Sequence, residues 1–377
     1  MSKYIKLVFL TLTLCISATW AGDFEDGVAA QEKKDFATAL GKFKSAASKG
    51  KSSAQSKLGD MYRSGQGVAK DYAEAMRWYK LAAAQGDVGA QLALGFIYEF
   101  GEGVVKDDAE AMRWYKLAAA QGSTLAQLLV ANWYHMGRGV TQDYAEAMRW
   151  YKSVAATGFG GAQYFLGEMY RQGQGVVQNY AEAMRWYKLA AAQGDADAQS
   201  RLGLMYGEGQ GVVQDYAEAM RWYKLAAAKG NARAQFNLGS MYGAGKGVAQ
   251  DYAEAMRWYK LAAAQGDAVS QYAIGLMYSA SLGVVQDHAE AARWYKLAAS
   301  QGIAKAQSIL GGMYSEGQGV VQDYIRAHMW YNLAAVKGDA DAVKSRDIIA
   351  KKMTTQQIAE AQKLARECQA RNFKNCD

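Results

Sequence analysis

The chain has 377 residues, a formal net charge of +7, 51% hydrophobic residues, and no proline. Basic residues lie beside acidic residues throughout, as with Arg77 and Lys80 next to Asp71 and Glu74. A nucleic-acid-binding protein concentrates its positive charge on one face. This mixed distribution instead indicates a solvated surface, so we expect no nucleic-acid partner.

The first 21 residues are typical of a secretory signal. Lys3 and Lys6 precede an apolar run at 7–16, and small residues lead up to Ala21. This order matches a charged region, a short hydrophobic region and a cleavage site. A membrane span needs about 20 apolar residues, which this run does not supply, so no transmembrane segment is expected. Removing the two signal lysines lowers the net charge from +7 to +5 (7 − 2), and the mature chain is expected to be periplasmic or secreted.

A 36-residue repeat organises the rest of the chain. Its marker is the stretch AEAMRWYKLAAAQG at 73–86, whose tryptophan returns with that period at Trp78, Trp114, Trp150, Trp186, Trp222, Trp258, Trp294 and Trp330. A period of about 20–50 residues predicts an array of supersecondary units. We place eight repeats at 51–338, an N-terminal capping helix pair at 22–50 and C-terminal capping helices at 339–377.

Each repeat is predicted to contain two helices, about 18–20 in the whole chain, with no β-strand. In the first repeat, helix A covers about 53–64 and carries an apolar stripe of helical spacing, formed by Ala54, Leu58, Met61 and Tyr62. Helix B begins after the cap Asp71, and its stripe is formed by Tyr72, Ala75, Met76, Tyr79, Ala82 and Ala83. Glu74, three residues after the cap, predicts a capping box.

Glycines have three predicted roles in the repeat. Gly59 allows a neighbour to approach helix A closely, and Gly86 ends helix B in a left-handed conformation. Gly65 and Gly67 lie between the two helices. A phosphate-binding glycine loop follows a strand and has a different spacing, so we interpret this pair as a turn.

This pattern closely resembles the Sel-one-like repeat family, a branch of the tetratricopeptide-type helical repeats. The resemblance covers 51–338 and is carried by Ala54, Leu58, Gly59, Tyr62, Gly65, Gly67, Val68, Asp71, Ala75, Trp78, Tyr79, Ala82, Ala83 and Gly86. It implies an all-α fold, a right-handed superhelical solenoid of antiparallel helix pairs with the A helices on the concave side. It also implies a role in protein–protein assembly.

The C-terminal end is expected to close the array with a final helix from about Thr355 to Cys368, capped by Thr354 or Thr355. Without the signal, Cys368 and Cys376 form an even pair in an exported chain, which favours a disulfide. No CxxC motif occurs and the three histidines are far apart, so we expect no metal site.

The geometry of that disulfide constrains the last residues. In one continuous helix the two Cα atoms would be about 12 Å apart, whereas a disulfide needs them within about 7 Å. The helix must therefore end near Cys368, with Asn372 as a turn residue and Phe373 packed on the last repeat. The alternative is a helix that continues to Lys374 with two free thiols.

No catalytic arrangement stands out from the repeated surface acids. A disulfide-rich branch of the resembled family is associated with β-lactam binding and weak hydrolysis, but it carries a cysteine pair in each repeat, which this chain lacks. We therefore predict that the protein is not an enzyme and needs no cofactor.

Helix A varies between repeats, whereas helix B is nearly identical in all of them. The A-helix positions that face away from the apolar stripe are polar in the first repeat and should be solvated: Ser53, Ser56, Asp60, Arg63 and Ser64. In the next three repeats these positions give the candidate partner-binding set of Leu92, Phe96, Phe100, Leu125, Leu128, His135, Met136, Tyr164, Glu168 and Arg171. Apolar residues on a face expected to be wet usually mark an interaction site. The alternative is packing between adjacent A helices, above all for the column Leu92, Leu128 and Tyr164.

These observations favour an exported, non-catalytic adaptor that holds a protein or peptide partner in its concave groove through apolar anchors. One alternative is a cell-wall or β-lactam-binding protein with marginal hydrolase activity, associated with the cell wall. Another is a secreted effector that binds a host protein. A nitrocefin assay and a peptidoglycan pulldown separate the first alternative from the adaptor.

Overall fold

The computed structural model describes residues 22–371, 373 and 376, so the predicted signal at 1–21 lies outside the described residues. Twenty helices and no β-strand are found in the described part of the chain. This confirms the all-α class expected from the period. The chain divides into two compact units after Gln178.

The helices are numbered in chain order. Those of the first unit are α1 (22–32), α2 (Phe36–Ser48), α3 (Ser52–Ser64), α4 (Tyr72–Ala84), α5 (Val88–Phe100), α6 (Asp108–Ala120), α7 (Thr124–Met136), α8 (Tyr144–Ala156) and α9 (Gly160–Gln172). Those of the second unit are α10 (Tyr180–Ala192), α11 (Ala196–Glu208), α12 (Tyr216–Ala228), α13 (Ala232–Ala244), α14 (Tyr252–Ala264), α15 (Ala268–Ser279), α16 (His288–Ala299), α17 (Ala304–Glu316), α18 (Tyr324–Val336), α19 (Ala340–Ala350) and α20 (Thr355–Ala370). From α3 to α18, odd numbers are A helices and even numbers are B helices.

The start of helix B differs from the expected capping box in one respect. The Asp71 side chain caps α4 by accepting a hydrogen bond from the Glu74 backbone N–H at 3.0 Å. The Asp71 backbone N–H donates to the Tyr62 carbonyl at the end of α3, at 2.9 Å. Because that donor is already used, Glu74 does not turn back to it and instead pairs with Arg77 at 2.9 Å. The cap therefore also ties helix B to helix A.

The turn between the helices is made by glycines in the left-handed region. Gly65 has φ 78° and Gly67 has φ 71°, and Gly86 after α4 has φ 85°. These values confirm the predicted turn and C-terminal roles, because side chains rarely adopt such angles. In the seventh repeat Ser281 takes the place of Gly65 and keeps φ at 58°.

A ladder of buried glutamines aligns the antiparallel helices of successive repeats. Near the start of α3, Gln55 donates to the Ala47 carbonyl at the end of α2, at 3.3 Å. Its own side-chain carbonyl accepts a hydrogen bond from Gln85, after the end of α4, at 2.8 Å. The start of helix A thus lies beside the end of its own helix B. The same pair recurs as Gln235 with Gln265, at 2.8 Å.

Two repeats of the second unit lack one bond of this ladder. Lys229 and Lys337 stand where most repeats have the second glutamine, and their ammonium groups donate instead to the Gly194 and Gly302 carbonyls. The side-chain oxygens of Gln199 and Gln307 are consequently buried without a hydrogen-bond partner. These two sites carry an uncompensated desolvation cost.

The paired helix B explains why most repeats have a glycine at the position of Gly59. A Cβ atom on Gly59 would lie 2.5 Å from the ring of Tyr79 in α4. All the equivalent glycines are buried, as predicted: Gly59, Gly95, Gly167, Gly203, Gly239, Gly275 and Gly311. The close neighbour is therefore a tyrosine ring of the same repeat.

The last repeat is closed by α20, which packs on α18. Met329 and Leu333 replace the exposed Arg77 and Leu81 of the first repeat and are almost fully buried. His328, at the position of Met76, is also buried, and its Nδ1 atom has no hydrogen-bond partner. Thr354 caps α20 in a capping box with Gln357, as the sequence predicted for the start of this helix.

A disulfide joins Cys368 to Cys376, with the Cα atoms 5.0 Å apart. The helix α20 ends at Ala370, so the chain turns back as the geometric argument required. Phe373 packs against the core of the last repeat, and the Lys337 ammonium lies 4.3 Å from its ring centre. The expected turn residue Asn372 lies outside the described residues.

Candidate functional site

The outward positions of the A helices in the first unit are less solvated than the helical wheel predicts. The helix-B tyrosines reach this face and bond to them: Tyr79 donates to Asp60 at 2.8 Å and Tyr151 donates to Asn132 at 2.5 Å. Burial raises the pKa of both phenols far above the usual range. The prediction that Asp60 is merely solvated is therefore wrong, because it satisfies a buried hydroxyl.

Phe96 and Phe100 of α5 differ in exposure. Phe96 is half-buried and meets the Tyr115 ring edge-on at 5.7 Å. Phe100, the last residue of α5, is 67% exposed and stacks on Phe96 at 6.4 Å. Phe96 is thus a packed support, and Phe100 is the accessible ring.

Leu125 and Met136 are the exposed apolar residues of α7, at 50% and 60% exposure. They lie at opposite ends of the helix, about 16 Å apart at 1.5 Å per residue. Met136 occupies the same repeat position as Phe100. The structure therefore groups Met136 with Phe100 and separates both from Leu125.

A chain of polar contacts borders this pair. The His135 Nε2 atom lies 3.0 Å from the Gln174 side-chain oxygen, and the His135 ring packs edge-on against Tyr144 at 5.2 Å. Glu168 is buried, pairs with Arg171 at 2.8 Å and accepts a hydrogen bond from Gln172 at 2.8 Å. These side chains form a fixed polar edge.

The column Leu92, Leu128 and Tyr164 is half-buried. Leu92 packs against the core formed by α6 and α7, and the Tyr164 ring lies 5.7 Å from that of Phe165. The Leu92 contact favours the packing alternative for that residue, whereas the Tyr164 contact lies within its own helix.

A salt-bridge network beside Phe96 was not predicted from the sequence. Arg138, in the loop after α7, donates to Glu99 at 2.6 Å and to both carboxylate oxygens of Asp108 at 3.0 Å. Its guanidinium stacks on Trp133 at 4.2 Å, and Tyr115 donates to Glu99 at 2.6 Å. The guanidinium lowers the pKa of Asp108. Two differences between repeats could have revealed this network in the sequence. Asp108 stands where most repeats have tyrosine, and Arg138 stands where most have a different polar residue.

The described residues hold no group of three or more His, Cys, Asp or Glu side chains able to bind a metal ion. No helix among them is long and apolar enough to cross a membrane.

The chain contains antiparallel helix pairs that repeat every 36 residues, and each pair buries its apolar stripe against neighbouring pairs. This arrangement defines a helical-repeat protein of the tetratricopeptide-like class. The Sel1 repeat model matches eight stretches of this chain: 52–87, 88–123, 124–158, 161–195, 196–231, 232–267, 268–303 and 304–339. The chain belongs to the Sel1 repeat family.

Two solved structures are similar over most of their length. A Sel1 repeat protein from Oxalobacter formigenes is 34% identical with a TM-score of 0.72, covering 81% of this chain and 88% of that one. A protective antigen of uropathogenic Escherichia coli, described as displaying an SLR fold, is 30% identical with a TM-score of 0.63, covering 96% and 86%. The comparison with curated proteins gives no match.

Proposed function

We propose that this protein is an exported scaffold that binds a protein or peptide partner on the A-helix face of its first unit, at Phe100 and Met136. Sel1 repeat proteins are generally scaffolds for protein interaction, and their fold is typically non-catalytic. The observation that carries the proposal is the exposure of two large apolar side chains at the same position of consecutive repeats. The same position holds Ser64 in the first repeat and Gln172 in the fourth.

The surroundings support a binding role for this pair. Phe100 rests on the packed Phe96 ring, and beyond Met136 lie the hydrogen-bonded side chains of His135 and Glu168. Such groups are already ordered before a partner arrives, which lowers the entropic cost of binding. Exposed apolar anchors beside a polar rim are the usual composition of a protein interface.

The test uses residues that the chain itself places at this position. Phe100→Ser combined with Met136→Gln should abolish crosslinking to the partner captured by the natural sequence. Because both side chains are exposed, the free energy of unfolding should change by no more than about 0.5 kcal/mol per site. Undiminished capture by the double variant would contradict the proposal.

A control reduces exposed apolar surface elsewhere in the same unit. Val105 and Val177 are 89% and 85% exposed in the loops between helices. At the same loop position other repeats carry Ala69 and Thr141. Val105→Ala combined with Val177→Thr should leave capture unchanged, which would show that the loss depends on the site rather than on surface hydrophobicity.

Export is the second part of the proposal. It is supported by the signal pattern at 1–21 and by the related Escherichia coli protein, which is described as a protective antigen. Expression in Escherichia coli followed by fractionation and intact mass measurement tests it. A periplasmic or secreted chain beginning at Gly22 supports export, and a full-length cytoplasmic chain contradicts it.

A further inference from the structure

A separate pocket of about 320 Å³ opens in the second unit, between the repeat of α13 and α14 and the repeat of α15 and α16. Ser240 and Gly243 of α13 lie on one side, Leu276 of α15 and Leu282 of the following loop on the other, and Tyr252 and Tyr259 of α14 also line it. None of the lining residues is charged. A charged ligand would therefore find no opposite charge in the lining.

The pocket lies where the second and third repeats have larger side chains. Counting back four repeats, Ser240 corresponds to Phe96, Gly243 to Glu99 and Leu282 to Arg138. In the first unit those larger side chains close the space, Phe96 against the Tyr115 ring and Glu99 through its bond to Arg138. At these three positions the second unit has Ser240 with a small side chain, Gly243 with none, and Leu282 with an aliphatic one.

The tyrosine at this position responds to the missing side chains. Tyr115 is fully buried, whereas its equivalent Tyr259 is only half-buried. The Phe236 ring lies 5.7 Å from that of Tyr259. Part of the Tyr259 side chain is thus open to the pocket.

Leu282 is an exception among the repeats. The equivalent positions carry polar residues: Gln66, Glu102, Arg138, Gln174, Gln210, Lys246 and Gln318. Leu282 packs against the core of α14 and α15 instead of facing solvent as a polar side chain would. The loop keeps the left-handed turn although Ser281 replaces glycine there. Leu282 thus gives this loop an apolar side chain where the other repeats have a polar one.

We propose that this pocket binds a phenylalanine side chain of a protein partner. The first unit provides the internal precedent, since Phe96 lies at the corresponding position and meets Tyr115 edge-on at 5.7 Å. Edge-to-face contact at that distance is a favourable aromatic geometry. The uncharged lining excludes an acidic or basic anchor. The identity of the partner as a protein rests on the proposed function, whereas the phenyl specificity rests on the pocket alone.

The probe is N-acetyl-phenylalaninamide, titrated into the full mature chain labelled with ¹³C at the methionine methyl groups. Met277 lines the pocket, so its methyl resonance should shift with saturation. Ser240→Phe fills the space from within, as Phe96 does, and should weaken probe binding at least tenfold. Ser240→Ala leaves the pocket open and should bind like the natural chain.

A second variant keeps the test valid if Ser240→Phe misfolds. Leu282→Lys introduces the residue that the preceding repeat has at this position, Lys246, and should also abolish the Met277 shift. No saturable shift in the natural chain overturns the inference, as does equal binding of N-acetyl-glutamic acid amide.

The same variants separate this inference from the proposed function. If the phenyl probe binds but Ser240→Phe captures the partner normally, the pocket is not a partner site and the inference fails, while the surface at Phe100 stands. If Ser240→Phe weakens both probe binding and capture, the inference is supported. The Phe100 and Met136 double variant tests only the surface of the first unit, so its loss of capture bears on the proposed function and not on the pocket.

Discussion

The glutamine ladder predicts a single substitution that stabilises the protein. Lys229→Gln places an amide where Gln85 and Gln265 stand in other repeats, within reach of the unpartnered Gln199 oxygen. A buried acceptor without a partner costs about 1–3 kcal/mol. Loss of the Lys229 ammonium removes its exposed hydrogen bond to the Gly194 carbonyl and its favourable interaction with the C-terminal end of α12, together about 1 kcal/mol. The variant should therefore gain about 1 kcal/mol.

The reverse substitution is the matched control. Gln265→Lys in the next repeat removes the donor at 2.8 Å from the Gln235 oxygen and should cost about 1 kcal/mol for the buried acceptor left without a partner. Lys229→Ala removes the lysine without supplying a donor and should not stabilise the chain. The three variants separate the hydrogen bond from the effect of charge.

Thermal unfolding followed by circular dichroism measures the change, which should be about 2–4 °C for a unit of this size. Stability in stacked repeats is roughly a sum of local contributions, so hydrogen exchange of α11 and α12 localises the effect. A Lys229→Gln variant that is no more stable than Lys229→Ala would refute the reasoning.

Three further predictions follow from buried contacts. Gly203→Ala would place a Cβ 2.6 Å from the Tyr223 ring and should cost about 1–3 kcal/mol in urea unfolding by overpacking; unchanged stability would disprove the close approach. Burial, with Arg346 nearby, lowers the pKa of His328, so the unfolded chain binds its proton first as the pH falls below about 6.5 and stability drops there; His328→Met, compared by thermal melts from pH 7 to 5, should remove that drop. Replacing both Cys368 and Cys376 by serine should cost about 2.5 kcal/mol at the C-terminal end, measured by hydrogen exchange of α20, and two reactive thiols in the purified chain would contradict the bond.

The fold could be predicted because its determinants are local in the sequence. Asp71, Gly65 and Gly86 set the ends of helices within a few residues of themselves, and the stripe containing Leu58 and Tyr79 has helical spacing. The pairing of Glu74 with Arg77 one turn away follows from helical spacing and is present, whereas the capping-box role of Glu74 was mispredicted for a non-local reason. Its expected partner, the Asp71 N–H, is already bonded to the Tyr62 carbonyl, which a helix considered alone does not reveal.

The candidate surface was predicted only in part because a helical wheel shows direction but not depth. Phe96 and Phe100 were assigned to one outward face, yet the Tyr115 ring covers Phe96 and leaves Phe100 exposed. Asp60 points the same way and is bonded to Tyr79, 19 residues away. Contacts of this kind depend on how far the side chains of the paired helix B extend.

The differences between repeats carry the functional information, and they act in sets rather than singly. Arg138 pairs with both Glu99 and Asp108, and its 30-residue separation from Asp108 is nearly one repeat length. Arg138 and Asp108 compensate each other's charge because their side chains face each other across adjacent repeats. At the corresponding place in the second unit, Gly243 and Leu282 lack this charge pair, and an uncharged pocket remains. One backbone frame thus yields a closed, charge-paired contact in one unit and an open apolar site in the other, and the choice between them depends on side chains about one repeat apart.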